Sequence, residues 1–285
     1  MKMLENKFKI GCKKYIKEVG RRKNILLISL LFCLIYMYTS PIKTFAFQMN
    51  TKVIAPYLYP YLLTDANFLI LFMAGIVYYY SDILDMSKWN NYLILRTGRV
   101  GWLKRKLWYI VFSAIQISLI PIVLLEIAVF PYAGYEKGWG KALHTIAKTN
   151  AGKECGLFWE ISLQCMSQNS PLKAMSITCI LSSLVIIFIG LLMLNLELYF
   201  SKKVAIVSAT IIILLVAVNA NVGDYIKRDI SMISPVSWAQ IANIGITRYG
   251  YIIAPALIYI LCGFSVLLIL FIWILFYKVK RIDFS

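Results

Sequence analysis

Six long apolar runs alternate with basic, polar or glycine-broken stretches along the chain, at about 24–40, 66–84, 107–130, 173–200, 204–220 and 252–278. About 20 apolar residues in helical conformation match a hydrocarbon core ~30 Å thick. The pattern therefore predicts an all-α polytopic membrane protein with six transmembrane helices in a single transmembrane domain over 1–285. Ahead of the first run, Leu4, Phe8, Cys12, Tyr15, Ile16 and Val19 recur at helical spacing, with Lys7, Lys13, Lys14 and Lys17 on the remaining face. That distribution predicts an amphipathic N-terminal helix over 3–20 lying in the membrane interface. Ser40-Pro41 and Ser170-Pro171 read as helix starts, with serine as cap and proline in the first turn.

The connections differ in character. Only Ser201-Lys202-Lys203 separate the fourth and fifth runs, which forces a tight helical hairpin. Segment 221–251 holds Ile230, Met232, Ile233, Trp238, Ile241 and Ile244 but is interrupted by Gly223, Pro235, Gly245 and Gly250. It is too polar to cross and too apolar for a solvated loop. It reads as a re-entrant or interfacial helix pair, with a plain extracellular loop as the simpler alternative. Segment 131–172 is long and polar, carrying Tyr132, Tyr135, Trp139, Trp159 and the single histidine, His144.

Composition agrees with this picture and narrows it. The chain has 285 residues, 60% hydrophobic and 15% charged, with a mean hydropathy of +0.73. A soluble domain carries about 25% charged residues, so soluble enzymes, secreted disulfide scaffolds and disordered chains are excluded. The net charge of +17 gains meaning from its placement. Twenty of the 30 Lys and Arg fall in the N-terminal segment, in 85–106, in 201–203 and at the C-terminal end. Short basic loops stay cytoplasmic, which predicts an N-in/C-in topology with 131–172 extracellular. The charge then serves orientation and attraction to anionic headgroups, not nucleic acid.

Candidate chemistry is sparse. His144 alone builds neither a metal site nor a catalytic dyad. Cys155 and Cys165 share one outer segment and are the only pair placed for a disulfide, an arrangement that sequence spacing leaves open. Asp82, Asp85, Glu126 and Glu197 sit near the ends of their runs, and none is central. A central charge is what ion-coupled transport needs. No HExxH, GxSxG or GxxxxGK[ST] occurs. The chain reads as a non-enzyme without cofactor, metal or catalytic residues, and any ATP chemistry belongs to another subunit.

The most distinctive stretch is 85–106, DMSKWNNYLILRTGRVGWLKRK. Its apolar part is too short to span a bilayer, and it mixes Trp89 and Trp102 with Arg96, Arg99 and Lys104. It reads either as a docking loop for a cytoplasmic partner or as a membrane-border anchor. Taken with SPVSWAQ (234–240), RTGRVGWLKRK (96–106), the interfacial N-terminal helix and six spans, the plan resembles the permease subunits of type-2 ABC exporters. In particular it resembles small bacterial ones with a separate ATPase. The resemblance implies a multi-pass protein of the bacterial cytoplasmic membrane that moves an amphiphilic peptide or lipid-like substrate outward by alternating access. It implies a second permease, identical or a sister chain, and a dimer of cytoplasmic ATPase subunits holding ATP and Mg. Trp89, Arg96, Arg99, Trp102 and Lys104 would form the coupling loop, and Pro235 and Trp238 the outer gate. A reading from another class is a standalone membrane immunity or sensor protein that binds a peptide without ATP.

Overall fold

The structure is a computed structural model that describes residues 22–83, 97–134, 138–245, 247–248, 251–252 and 254–281. The interfacial helix expected over 3–20, together with Trp89 and Arg96, lies outside the described residues. Among the described residues the secondary structure is helical apart from a hairpin pairing β1 (Thr247–Arg248) with β2 (Tyr251–Ile252) and a single bridge between Val53 and Ala133. Five helices among the described residues are long and apolar enough to cross a membrane, or six if a sharply bent pair counts as one span. The protein is thus a multi-pass helical membrane protein.

Helix α1 (Arg22–Gln48) corrects the expectation that Ser40-Pro41 starts a helix, because Pro41 lies inside it. Proline there forfeits one backbone hydrogen bond, yet the helix continues because its buried stripe continues. Ile35, Tyr38, Ile42 and Phe45 are all buried at spacings of three and four. Beyond α1, residues 55–64 do not form a plain connection. A 3-10 turn (Ala55–Leu58) and α2 (Tyr59–Thr64) meet α3 (Ala66–Ile83) at a bend of 92°.

Helix α4 (Arg99–Val129) starts eight residues before the expected boundary at 107, so 99–106 is helix and not loop. It runs parallel to α1, whose Lys43 Nζ donates to Ala128 O at 2.8 Å. Helix α3 runs antiparallel to α1. Tyr38 Oη meets Asp65 at one end of the pair, and Lys23 Nζ meets Ser81 at the other.

Segment 131–172 carries three short helices, α5 (Lys141–Lys148), α6 (Ala151–Glu154) and α7 (Leu163–Gln168). Buried Trp139, Leu143, Ile146 and Trp159 fix them to the bundle. Helix α8 (Pro171–Tyr199) begins as read, with Ser170 at the cap and Pro171 in its first turn. It is the most buried long helix and packs against α4, α9 (Lys202–Asn221) and α11 (Leu257–Arg281). The α8–α9 turn is as tight as expected, and Ser201 Oγ accepts from Val204 N at 3.4 Å.

Between α9 and α11 lie the ten-residue α10 (Asp224–Ile233), 3-10 turns at Ser237–Ala239 and Ile241–Asn243, and the hairpin. Among the described residues, none of these pieces is long and apolar enough to cross a membrane. The last long helix starts at Leu257 rather than 252, since 251–252 pair in the hairpin and Pro255 intervenes. Hydroxyl pairs stitch the bundle interior: Tyr80 with Ser113 at 3.0 Å, Ser183 with Ser118 at 2.9 Å, and Tyr59 with Ser182 at 3.1 Å. Such pairs hold helices together where lipid supplies no hydrophobic driving force. The bundle has a basic end, marked by Lys23, Arg99, Lys202 and Lys280, and a far end built from the described residues of 49–65, 131–172 and 221–252.

Candidate functional site

At the basic end, Gly98 precedes α4 with φ of +73°, a region that glycine enters without cost. Arg99 is the first helical residue, and its Nη1 donates to Lys280 O at 3.3 Å. The guanidinium thereby caps a carbonyl in the last turn of α11, where a cation also complements the helix dipole. Lys104 is exposed one turn further along α4. Trp102 differs from its expected place in a docking loop. It is buried at 3% exposure, beside buried Leu103, because 99–106 is helix and turns that face into the bundle. Of the five coupling candidates, the structure brings Arg99 and Lys104 to the surface and puts Trp102 into the core.

At the far end, the expected gate residues are packed rather than open. Pro235 is buried, and Trp238 donates its indole N–H to Ser231 O at 2.8 Å. The Trp238 ring meets Phe264 edge-on at 5.0 Å and Tyr259 at 6.0 Å. Room for it comes from Gly263, where a Cβ would approach Trp238 Cη2 to 2.9 Å. Two residues on, Gln240 Nε2 donates to Thr64 O at 2.9 Å, satisfying a carbonyl left open at the end of α2.

That contact leads to the feature sequence reasoning missed. Ala55, Leu58, Tyr59, Tyr61, Leu62 and Leu63 are completely buried, so 55–63 forms a plug inside the far end of the bundle. Three regions hold it. Tyr59 Oη donates to Ser182 Oγ of α8, Gln240 holds Thr64 O, and Tyr61 packs its ring on Trp139 at 5.4 Å. The bend itself turns on Asp65, whose Oδ1 accepts from Phe68 N at 2.8 Å and from Tyr38 Oη at 2.9 Å. The carboxylate is the N-terminal cap of α3. Trp159 Nε1 donates to Tyr38 O at 3.0 Å, adding the 131–172 segment to the same node. The signal was present in the sequence. Asp65 stands just before an apolar run, and Pro56 and Pro60 interrupt an apolar stretch too short to cross.

The pairing considered for Cys155 and Cys165 is absent, and all five described cysteines are free. Cys155 Sγ faces Gln48 Oε1 of α1 at 3.6 Å, whereas Cys165 is buried against Tyr61 and Asn169. Burial pushes the Cys165 thiol up, and the thiolate is the reactive species. Maleimide applied to single-cysteine proteins is therefore expected to label Cys155 in the folded state and Cys165 only after denaturation. Equal labelling rates would contradict the burial. His144 is exposed on α5. No family model, curated protein or solved structure matches this chain.

Proposed function

We propose that the chain is the membrane-spanning permease subunit of an ATP-driven exporter, moving an amphiphilic peptide or lipid-like substrate outward by alternating access. In this reading it has six spans with both termini cytoplasmic, resides in a bacterial cytoplasmic membrane, and performs no catalysis itself. A second permease completes the path, and a separate ATPase dimer holds ATP and Mg. The observation that carries the reading is the course of α4. Its 31 residues run as one helix from Arg99 to Val129, with Pro121 inside it, about 46 Å at 1.5 Å per residue. At its basic end lie Arg99 and exposed Lys104, and at its far end it packs against the 3-10 turn Ala55–Leu58 of the plug. A continuous helix touching both a docking surface and a plug is the part a closing ATPase dimer needs in order to bias two states.

The test is copurification of the ATPase from native membranes. Arg99→Gln with Lys104→Gln is expected to lower ATPase retention by about tenfold, in the range of interface hot spots, with expression unchanged. Full retention by a normally inserted double variant would make these residues lipid anchors. A second reading, a standalone immunity or sensor protein binding a peptide, draws on the folded 131–172 segment with its buried Trp139 and Trp159. It requires that no ATPase copurify with the unaltered chain.

A further inference from the structure

An apolar groove of about 560 Å³ runs between α1, α3 and α4, separate from the plug. Leu27, Leu31 and Leu34 form one wall, Leu71 the other, and Ile117 and Ile120 the floor. The groove exists because Ala74 and Gly75 place almost no side chain in it. A Cβ at Gly75 would meet only Leu27 Cδ2, at 3.9 Å. Its polar groups gather at one end, where Asn24, Tyr78 and Tyr79 line it. At that mouth stands Lys23, its Nζ 3.9 Å from the Tyr78 ring centroid and donating to Ser81 Oγ at 3.3 Å.

Dimensions and charge select the occupant. From Asn24 to Leu34 the groove follows α1 for about 15 Å, half of a hydrocarbon core ~30 Å thick. It is therefore one leaflet deep, apolar along its length and cationic at its mouth. A membrane amphiphile with one charged end and one apolar chain has the complementary form. A second copy of this chain is a poorer match, because its net charge of +17 brings the same sign to a basic mouth. The same objection applies to the basic segment 3–20 with Lys7, Lys13, Lys14 and Lys17. We propose that the groove seats one acyl chain of an anionic glycerophospholipid from the leaflet at the basic end, with its phosphate beside Lys23. This seat stands on the fold alone and is independent of the transport reading.

The experiment reconstitutes the full chain into nanodiscs of equal phosphatidylglycerol and phosphatidylcholine, extracts it in mild detergent, and counts retained lipid by native mass spectrometry. The unaltered protein is expected to keep one phosphatidylglycerol per chain. Gly75→Leu fills the groove, removes the packing contacts an acyl chain would make there, and is expected to lower retention by about tenfold. Lys23→Gln is expected to keep a lipid but to lose the preference between the two headgroups. Val207→Leu, on an exposed face of α9 and outside the groove lining, serves as control and retains the unaltered pattern. A melting curve of each variant in detergent separates groove filling from misfolding. If Gly75→Leu melts normally and keeps the same lipid occupancy, the proposal fails. Equal retention of both lipids by the unaltered protein overturns the anionic assignment. A cysteine at position 30 that cross-links to a second copy assigns the groove to a protein interface and overturns the lipid seat.

Discussion

Trp238→Ala is expected to destabilise the protein by about 3–5 kcal/mol, the usual cost of deleting a buried large aromatic. The ring is 5% exposed, lies between Phe264 and Tyr259, and fills the hollow left by Gly263. Its removal opens a cavity between the 234–244 segment and α11 and leaves Ser231 O without its indole donor. Trp238→Phe keeps most of the ring and loses that hydrogen bond, so its cost should be nearer 1 kcal/mol. Thermal melting in detergent measures both. Gly263→Ala in the unaltered background should also destabilise, because the added Cβ meets Trp238 Cη2 at 2.9 Å. In the Trp238→Ala background the same change enters an empty space and should cost much less. Residues in contact deviate from additivity in this way. Strict additivity of the two substitutions would show that the ring does not seat on Gly263, and the account of the far end would need rebuilding.

The spans were legible because hydropathy is summed over many residues. Five long helices overlap the apolar runs, α8 and α9 within two residues at each end, and the 201–203 hairpin and the Ser170-Pro171 start stand where the residues placed them. Errors arose where one local signal was weighed without its packing. Ser40-Pro41 has the form of a helix start, but the buried stripe through Ile42 and Phe45 carries α1 across it. Trp102 sits in a basic stretch whose pattern reads as a docking loop or membrane-border anchor, yet with Leu103 it forms a buried patch at the start of α4. The plug escaped notice for a different reason. Residues 55–64 make too short an apolar run to span, and only their tertiary setting distinguishes a buried re-entrant turn from a surface connection. Trp238 and Pro235 lie at the far end, and their packing is seen only with Gly263 and Gln240, which are distant in sequence from what they touch. Sequence pattern thus located elements well, whereas the partners that define the far end required the fold.

Asp65→Ala carries the second large prediction, about 2–4 kcal/mol of lost stability. One part is the N-terminal cap of α3, worth about 0.5–2 kcal/mol when Asp becomes Ala. The other is the Tyr38 hydroxyl, which loses its acceptor in a side chain only 7% exposed. A buried donor stranded in this way costs about 1–3 kcal/mol. Asp65→Asn preserves an acceptor oxygen for both Phe68 N and Tyr38 Oη, so its cost should stay below about 1 kcal/mol. Tyr38→Phe removes the stranded hydroxyl, and the double variant Tyr38→Phe with Asp65→Ala should therefore be less destabilised than the sum of the two single changes. Because Asp65 is the corner of the bend, loss of the node should also loosen the plug. A cysteine introduced at Leu62, completely buried in the native fold, is expected to react with maleimide faster when Asp65 is alanine and to stay protected when it is asparagine. An Asp65→Ala protein that melts normally and keeps position 62 protected would mean that Gln240, Tyr59 and Trp139 hold the plug without the bend, and that the Tyr38–Asp65 contact is incidental to it.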